Sequence, residues 1–520
     1  MVTAPNHLAA QAGLAVLREG GNAIEAALAA AATISVVYPH MCGLGGDAFW
    51  LIHEPNQPPI AIDAAGATGS GADLDSYRLR GLDKMPVQGP AAAATVAGAV
   101  SGWQSALDIS ARWGGHLPLS RLLEEAVTHA RYGWPVASSH EKAARRLLGA
   151  LKGCSGFAET FLEDSGRIPR AGALLRNERL AEVLEGLGQS GLDSFYRGEI
   201  AQAITADLKA IGSPVTGEDM ARHRPTRRRP LTLALDNGVL HNTPPPTQGL
   251  TAMMLLAVFR QLKVREGETI DHLHGLIEAS KLVYEIRNRV IRDPALMREQ
   301  PGAYLSSERI GALARQVDMS QAASGPALST DGDTIWLVTA DNQGRAVSYI
   351  QSVYHAFGSG VVLPTTGLLW HNRGAAFSLD EQATNPLEPG RKPFHTLSPA
   401  LARLNDGRVM AYGCMGGDGQ PQFQAAVFSR HVFYGQDLQA AVTAPRWVIG
   451  RSWGTHTASL LVESRMDPAV VQGLRDRGHD VGLVDPYDDL MGHAGAIVLH
   501  PSGLLEGAVD PRSDGGIAAY

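Results

Sequence analysis

Cysteine is nearly missing from this sequence: Cys42, Cys154 and Cys414 are the only three among 520 residues. Their number is odd and they show no CxxC or other metal-type spacing, which argues against a disulfide framework or a cysteine zinc site. Thiols this sparse fit a reducing compartment. No stretch reaches the roughly 18 apolar residues of a membrane span. The run Ala23–Tyr38 is interrupted by Glu25 and is rich in Ala, Ser and Thr, so it reads as a buried helix. The opening MVTAPNHLAAQAG has no basic segment followed by an apolar one, so no secretory signal is read and a cytoplasmic location is expected. Charge of one sign is also scarce. Lys+Arg 45 against Asp+Glu 52 gives a formal net charge of −7, which is no footprint for nucleic acid. The one basic cluster, Arg227 to Arg229 with Arg222 and Arg224, reads as a solvated turn.

What is present is an ordinary globular composition, 44% apolar and 19% charged, with 58 Gly and 30 Pro to make tight turns. At roughly 100–200 residues per domain, this length allows two to four domains or one large layered unit. A helix is predicted from Asn6 to about Glu19, stopped by Gly20-Gly21, with Asn22 capping the next helix. Helix-period apolar positions mark 120–131, 141–151, 177–187, 198–209 and 269–291. The stretch 299–332 reads as an exposed connector. After Gly332 the pattern changes. TIWLVTA and RAVSYIQS read as two strands joined by the DNQG turn. Further strands are predicted at 48–52, 361–364, 367–370, 400–404, 409–412 and 494–499, and helices at 422–434 and 468–477.

Generic chemical motifs are weak. GLGGD (residues 43–47) lacks the spacing of a phosphate loop and reads as a packing turn. His272 and His274 lie two apart with Glu278 nearby, which does not place both imidazoles on one helical face, so core or surface histidines are expected there. Gly450-Arg451-Ser452-Trp453-Gly454 has the letters of a nucleophile elbow, but a strand rather than a helix is predicted after it.

The longer segments carry more. APNHLAAQAGLAVLREGGNAIEAALAAAATISVVYPHMCGLGGDAFWL, TVAGAVSGW, PPPTQG, EASKLVYEIRNR, DTIWLVTADNQGRAVSYIQSVYHAFGSG, RKPFHTLSPAL and GCMGGDGQPQFQ resemble, in order, the gamma-glutamyltransferase family of N-terminal-nucleophile hydrolases. The FHTL and QSVY motifs resemble its amidohydrolase and acylase branch. The resemblance implies an α/β fold (α+β): a four-layer αββα sandwich, in two chains after self-cleavage. It implies a large piece, 1–333, and a small piece, 334–520, cut between Asp333 and Thr334. Thr334 would then be both nucleophile and, through its freed α-amine, base. The family's second hydroxyl falls on Ser352, and the backbone amides of its oxyanion hole fall on Gly416 and Gly417.

The pocket departs from the family pattern. The Arg that holds a γ-glutamyl carboxylate falls on Ala65, the acidic residue that holds the amine on Ala376, an Asn on Tyr354, and a Ser-Ser pair on His395 and Thr396. Losing both zwitterion clamps points away from glutathione. Tyr354, His395, Thr396 and Arg373 become the candidate substrate contacts, with Arg391 as a second cation. The expected activity is hydrolysis of a small carboxylate-bearing amide such as oxamate, with no metal or organic cofactor. The expected partners are the small-molecule amide and the two pieces of one precursor, with no nucleic acid or membrane; assembly of the heterodimer into a homo-oligomer is left open. A γ-glutamyl transferase or glutathione hydrolase, and an uncleaved binding protein, are the competing readings.

Overall fold

The computed structural model describes residues 1–325, 332–450 and 460–520. The chain forms two compact units, each assembled from separated segments. One holds Met1–Arg228, Asp333–Phe394 and Asp514–Tyr520; the other holds Arg229–Gly332 and His395–Ser513. Neither unit stops at residue 333 or begins at 334, because each takes chain from both sides of that position.

The first unit is built on a seven-stranded sheet. Its strands run in the order Gly516–Ala518, Val2–Ala4, Asp333–Ala340, Ala346–Tyr354, Asp47–His53, Ile60–Ala64 and Thr226–Arg228, every neighbour antiparallel. The central hairpin is closed by the DNQG turn. Asp341 accepts from the backbone N–H groups of Gln343 and Arg345, and its other oxygen takes the Arg345 guanidinium at 2.7 Å. The helix Ala23–Val37 packs on these two strands and on the helix His7–Arg18. All its residues are buried, which its small side chains allow. Its start is fixed as the sequence predicts, with Asn22 and Glu25 capping each other's backbone.

The second unit holds a six-stranded antiparallel sheet in the order Leu505–Val509, Ala494–Leu499, Val409–Cys414, Ala400–Leu404, Gly238–Asn242 and Leu231–Leu235. The helices Gly249–Gln261, Ile270–Val290 and Gln420–Phe428 pack together in it. A small sheet adds Trp447–Ile449, Leu460–Glu463 and Val481–Val484. Beside it Arg446 and Arg512 are buried with Asp510 and Glu463, each cation paired with a carboxylate.

Several expectations change. No strand forms at 361–364 or 367–370. One bridge, Val362 to Leu369, remains between them, because Gly360 and Gly367 sit at φ 72° and 65° and turn the chain out of extended conformation. The stretch 299–332 holds a turn of tight helix, Pro301–Leu305, and the helix Ser307–Ala314, anchored by buried Ile310. The predicted helix 422–434 begins earlier, at Gln420, and ends in a widened turn, Ser429–Phe433. Arg227 and Arg228 lie on the edge strand Thr226–Arg228, with Arg227 bonded to Ser105 and Asp108, rather than in a solvated turn. Apart from Gly450, the elbow-like motif at 450–454 lies outside the described residues. Among the described residues no helix is long and apolar enough to cross a membrane.

Buried histidines give the fold an acid limit. His140 is fully buried against His40, Phe161 and Phe357, neither ring nitrogen has a hydrogen-bond partner among the described residues, and burial pushes it down to about 4. Burial, helped by Arg430, pushes His272 down to about 3. Unfolded imidazoles titrate near 6.5, so below that pH the unfolded chain binds protons first and stability falls as the pH drops toward the folded values. For His140 the loss is roughly 3 kcal/mol once the pH is below both values. Thermal unfolding of wild type and His140→Phe should diverge in the variant's favour as the pH falls from 7 to about 4.5. A constant difference would show that His140 is not the titrating group.

Candidate functional site

In the first unit, the strand Asp333–Ala340 opens with two buried residues, Asp333 and Thr334. Its pairing with Ala346–Tyr354 is regular up to Gln351 opposite Ile335, then shifts so that Tyr354 faces Asp333. Ser352 and Val353 therefore stand opposite Thr334 alone, which is a β-bulge. A bulge re-aims the side chains beside it. Here Ser352 Oγ accepts from the Tyr354 N–H at 2.7 Å and donates to the Asp333 carbonyl at 2.5 Å. That carbonyl belongs to the Asp333–Thr334 peptide bond. Thr334 Oγ1 is buried and accepts or donates no hydrogen bond among the described residues. The hydroxyl of Ser352 thus meets the Asp333 carbonyl, not the Thr334 hydroxyl. Tyr354 takes φ 80°, a strained value for a side-chain-bearing residue.

Tyr354 also carries the Arg373 guanidinium over its ring, 3.9 Å from the centroid. Arg373 is 0% exposed, and none of its three nitrogens has a hydrogen-bond partner among the described residues. Burial pulls it down to about 10, while Tyr354 and Asp47 oppose the shift, so it stays charged at neutral pH. A buried cation without hydrogen-bond partners costs several kcal/mol. Such an arrangement suits an arriving anion.

Asp47 faces Ser352 across the next strand pair. It is fully buried; one oxygen accepts from the Gly66 and Gly98 N–H groups at 2.9 and 3.1 Å, and the other lies 3.3 Å from His371 Nδ1. His371 Nε2 lies 3.0 Å from the Thr95 carbonyl. These two residues were not singled out by sequence reasoning. The signal was a carboxylate at the end of the glycine-rich turn, inside an otherwise apolar strand. The turn itself is for packing, as expected: a Cβ on Gly46 would fall 2.4 Å from the Ser352 carbonyl oxygen.

In the second unit, Gly416 and Gly417 adopt φ 126° and 52°, conformations open to glycine. A Cβ on Gly417 would lie 3.1 Å from the backbone of Gly332, the residue before Asp333. Gln248, from PPPTQG, donates through Nε2 to the carbonyls of Thr396 and Gly417 at 2.7 and 2.8 Å. Arg287 donates to Gln248 Oε1 and pairs with Asp418 at 2.7 Å, and Tyr284 donates to the Asp418 carbonyl. Sequence reasoning missed Gln248, Tyr284, Arg287 and Asp418 as individual residues, though all lie in segments it had selected. His395 is buried and paired through its backbone with Pro246 and Gln248; Thr396 Oγ1 is buried without a hydrogen-bond partner among the described residues.

Other candidates fall away. Arg391 is half-buried and held by Glu388 at 2.9 Å. Cys42 and Cys414 are buried free thiols, pushed far above the ordinary thiol range by burial, and Cys154 is free as well. Ala65 is buried and Ala376 partly so, and neither brings a charge. His272 bonds Ser429, away from His274, which meets His479 instead.

A family model described as gamma-glutamyltranspeptidase matches residues 9–520. The chain is 50% identical to an oxamate amidohydrolase proenzyme from Klebsiella pneumoniae, over 100% of this chain and 98% of that one. It is 36% identical to a glutathione hydrolase-like YwrD proenzyme from Bacillus subtilis, over 99% and 97% of the two chains. Among solved structures, a cephalosporin acylase from Bacillus halodurans superposes with a TM-score of 0.90 at 33% identity, covering 100% of this chain and 95% of that one.

Proposed function

The chain belongs to the gamma-glutamyltranspeptidase family, and from that premise we propose that it is a self-processing amidohydrolase acting on a small carboxylate-bearing amide of the oxamate type. The observation that carries this reading is the Ser352 hydroxyl donating to the Asp333 carbonyl, next to the unengaged Thr334 hydroxyl.

In maturation, Thr334 Oγ attacks the Asp333 carbonyl carbon while Ser352 stabilises the oxygen as it gains charge. The C–N bond breaks and the acyl group moves from nitrogen to oxygen. Water then hydrolyses the ester, leaving a carboxylate on Asp333 and a free α-amine on Thr334. The pieces are 1–333 and 334–520. Strand pairing across the cut holds them together: Val2–Ala4 with Asp333–Ala340, and Asp47–His53 with Ala346–Tyr354.

In turnover, the Thr334 amine, with an ordinary value near 8, takes the hydroxyl proton as the oxygen attacks the substrate amide. The Gly416 and Gly417 amides receive the oxyanion. The amine returns the proton to the leaving nitrogen, and ammonia departs from an acyl-Thr334 ester. Water releases the diacid. Arg373, seated on Tyr354, holds the substrate carboxylate, and His395 and Thr396 supply further polar contacts. The 50% identical oxamate amidohydrolase proenzyme supports this substrate class. Alanine at positions 65 and 376, which leaves no clamp for a zwitterion, argues against a γ-glutamyl substrate. The free thiols Cys42, Cys154 and Cys414 support a reducing, cytoplasmic setting.

The machinery and the pocket are tested separately. Purified wild type should give two pieces by mass spectrometry, and Thr334→Ala one. Ser352→Ala should mature at least ~100-fold more slowly, the size of losing one oxyanion donor, and Ser352→Thr should restore the rate. An uncut wild type would leave only the binding-protein reading.

Arg373→Met should still mature but lose about 100-fold in kcat/KM on oxamate, near 3 kcal/mol of charged hydrogen bonding. Its thermal midpoint should not fall, because a buried charge without hydrogen-bond partners has been removed. Unchanged oxamate turnover in this variant would remove Arg373 from the pocket while leaving the self-cleavage intact.

A further inference from the structure

The helix Ile270–Val290 carries His274 and Glu278 one turn apart, both buried. His479, in the turn after the helix Pro468–Asp476, closes on them from a segment 205 residues away. One ligand atom from each of the three residues lies within 4.8 Å of the others. We propose that His274, Glu278 and His479 bind one divalent transition-metal ion of the zinc class, which fastens the turn carrying His479 to this helix.

The donor set is two imidazoles and a carboxylate, which suits zinc rather than magnesium or calcium. Two of the three donors are already oriented by a second contact. His274 Nε2 donates to the Asp318 carbonyl at 2.8 Å, which fixes its tautomer and leaves the Nδ1 lone pair facing the cluster. Glu278 Oε2 accepts the Ala323 N–H at 3.0 Å, leaving Oε1 toward the imidazoles. His274 Nδ1 and His479 Nε2 are 2.8 Å apart, sharing a proton in a hydrogen bond. Zinc–nitrogen bonds of about 2.0–2.1 Å in a tetrahedron would set them roughly 3.3 Å apart, so a half-ångström opening and a shift of the His479 proton to Nδ1 suffice.

Lys281 is the competitor. Its Nζ lies 2.6 Å from Glu278 Oε1 and 2.6 Å from the Ala323 carbonyl. A metal ion would take over Glu278 Oε1 and leave the ammonium on the carbonyl, at the end of a flexible stem. Water would fill the fourth position. The helical partner of His274 is Glu278 rather than His272, and the second imidazole comes from a segment 205 residues away in sequence.

The opposing effects of two substitutions test the site. The full chain, stripped with a chelator, is titrated with Co²⁺ for its visible ligand-field bands and then with Zn²⁺ in competition. Wild type should bind one equivalent. His479→Ala should weaken binding at least ~100-fold, while Lys281→Met, which removes the rival cation, should tighten it about tenfold. Added zinc should raise the thermal midpoint of wild type and not of His479→Ala. If wild type takes up no stoichiometric metal, if His479→Ala binds as wild type does, or if Lys281→Met fails to tighten binding, the cluster is a hydrogen-bonded anchor and the proposal fails. Should His479→Ala not fold, wild type and Lys281→Met decide the matter alone.

Discussion

The hydrogen bond from Ser352 to the Asp333 carbonyl depends on one extra residue in a hairpin. With regular pairing, Ser352 would stand beside its cross-strand partner and its hydroxyl would have no reason to reach back along the neighbouring strand. The bulge spends pairing and strains Tyr354 to φ 80°, and in return aims a donor at one particular peptide bond. Two neighbours hold that irregularity in place. Gly46 lets a neighbouring turn touch the Ser352 backbone, where any side chain would collide. Asp47, opposite Ser352, ties that turn to the Gly66 and Gly98 amides.

Charge is placed in the first unit with the same economy. Asp47 is fully buried but has amide donors and an imidazole beside it. Arg373 is fully buried over the Tyr354 ring and feels the Asp47 charge, but has no hydrogen-bond partner among the described residues. The Asp47 oxygen held by two amide donors rigidifies its neighbours. A buried guanidinium without hydrogen-bond partners lowers stability, and an anion that paired with it would recover that deficit as binding energy.

The second unit relies on polar contacts of a different kind. Gln248 joins the Thr396 and Gly417 carbonyls, and Arg287 and Asp418 brace it from behind. Three separated stretches of chain meet on one amide side chain. Its two donors and its oxygen are all used, so replacing it by an apolar residue would strand several buried partners at once. The glycine pair beside it takes backbone angles that are available only because no side chain must fit there.

Periodicity and turn chemistry made most elements legible in the sequence. The capped helix after Asn22, the DNQG hairpin and the strand at 494–499 follow from local signals, because capping, turn type and alternation act over a few residues. The strands expected at 361–364 and 367–370 failed for a local reason too: glycines at positive φ outweighed β-branched neighbours. Family motifs led to Thr334, Ser352, Gly416 and Gly417 as candidates. Tertiary structure decided which atom the Ser352 hydroxyl serves, because a bulge is a matter of register between strands. It also decided that Arg373 stacks on Tyr354 without a hydrogen-bond partner among the described residues while Arg391 is paired, and that His479 joins His274 and Glu278. Burial and partner choice are set by contacts across tens to hundreds of residues. A sequence fixes the side chains available for those contacts, and only folding determines which of them meet.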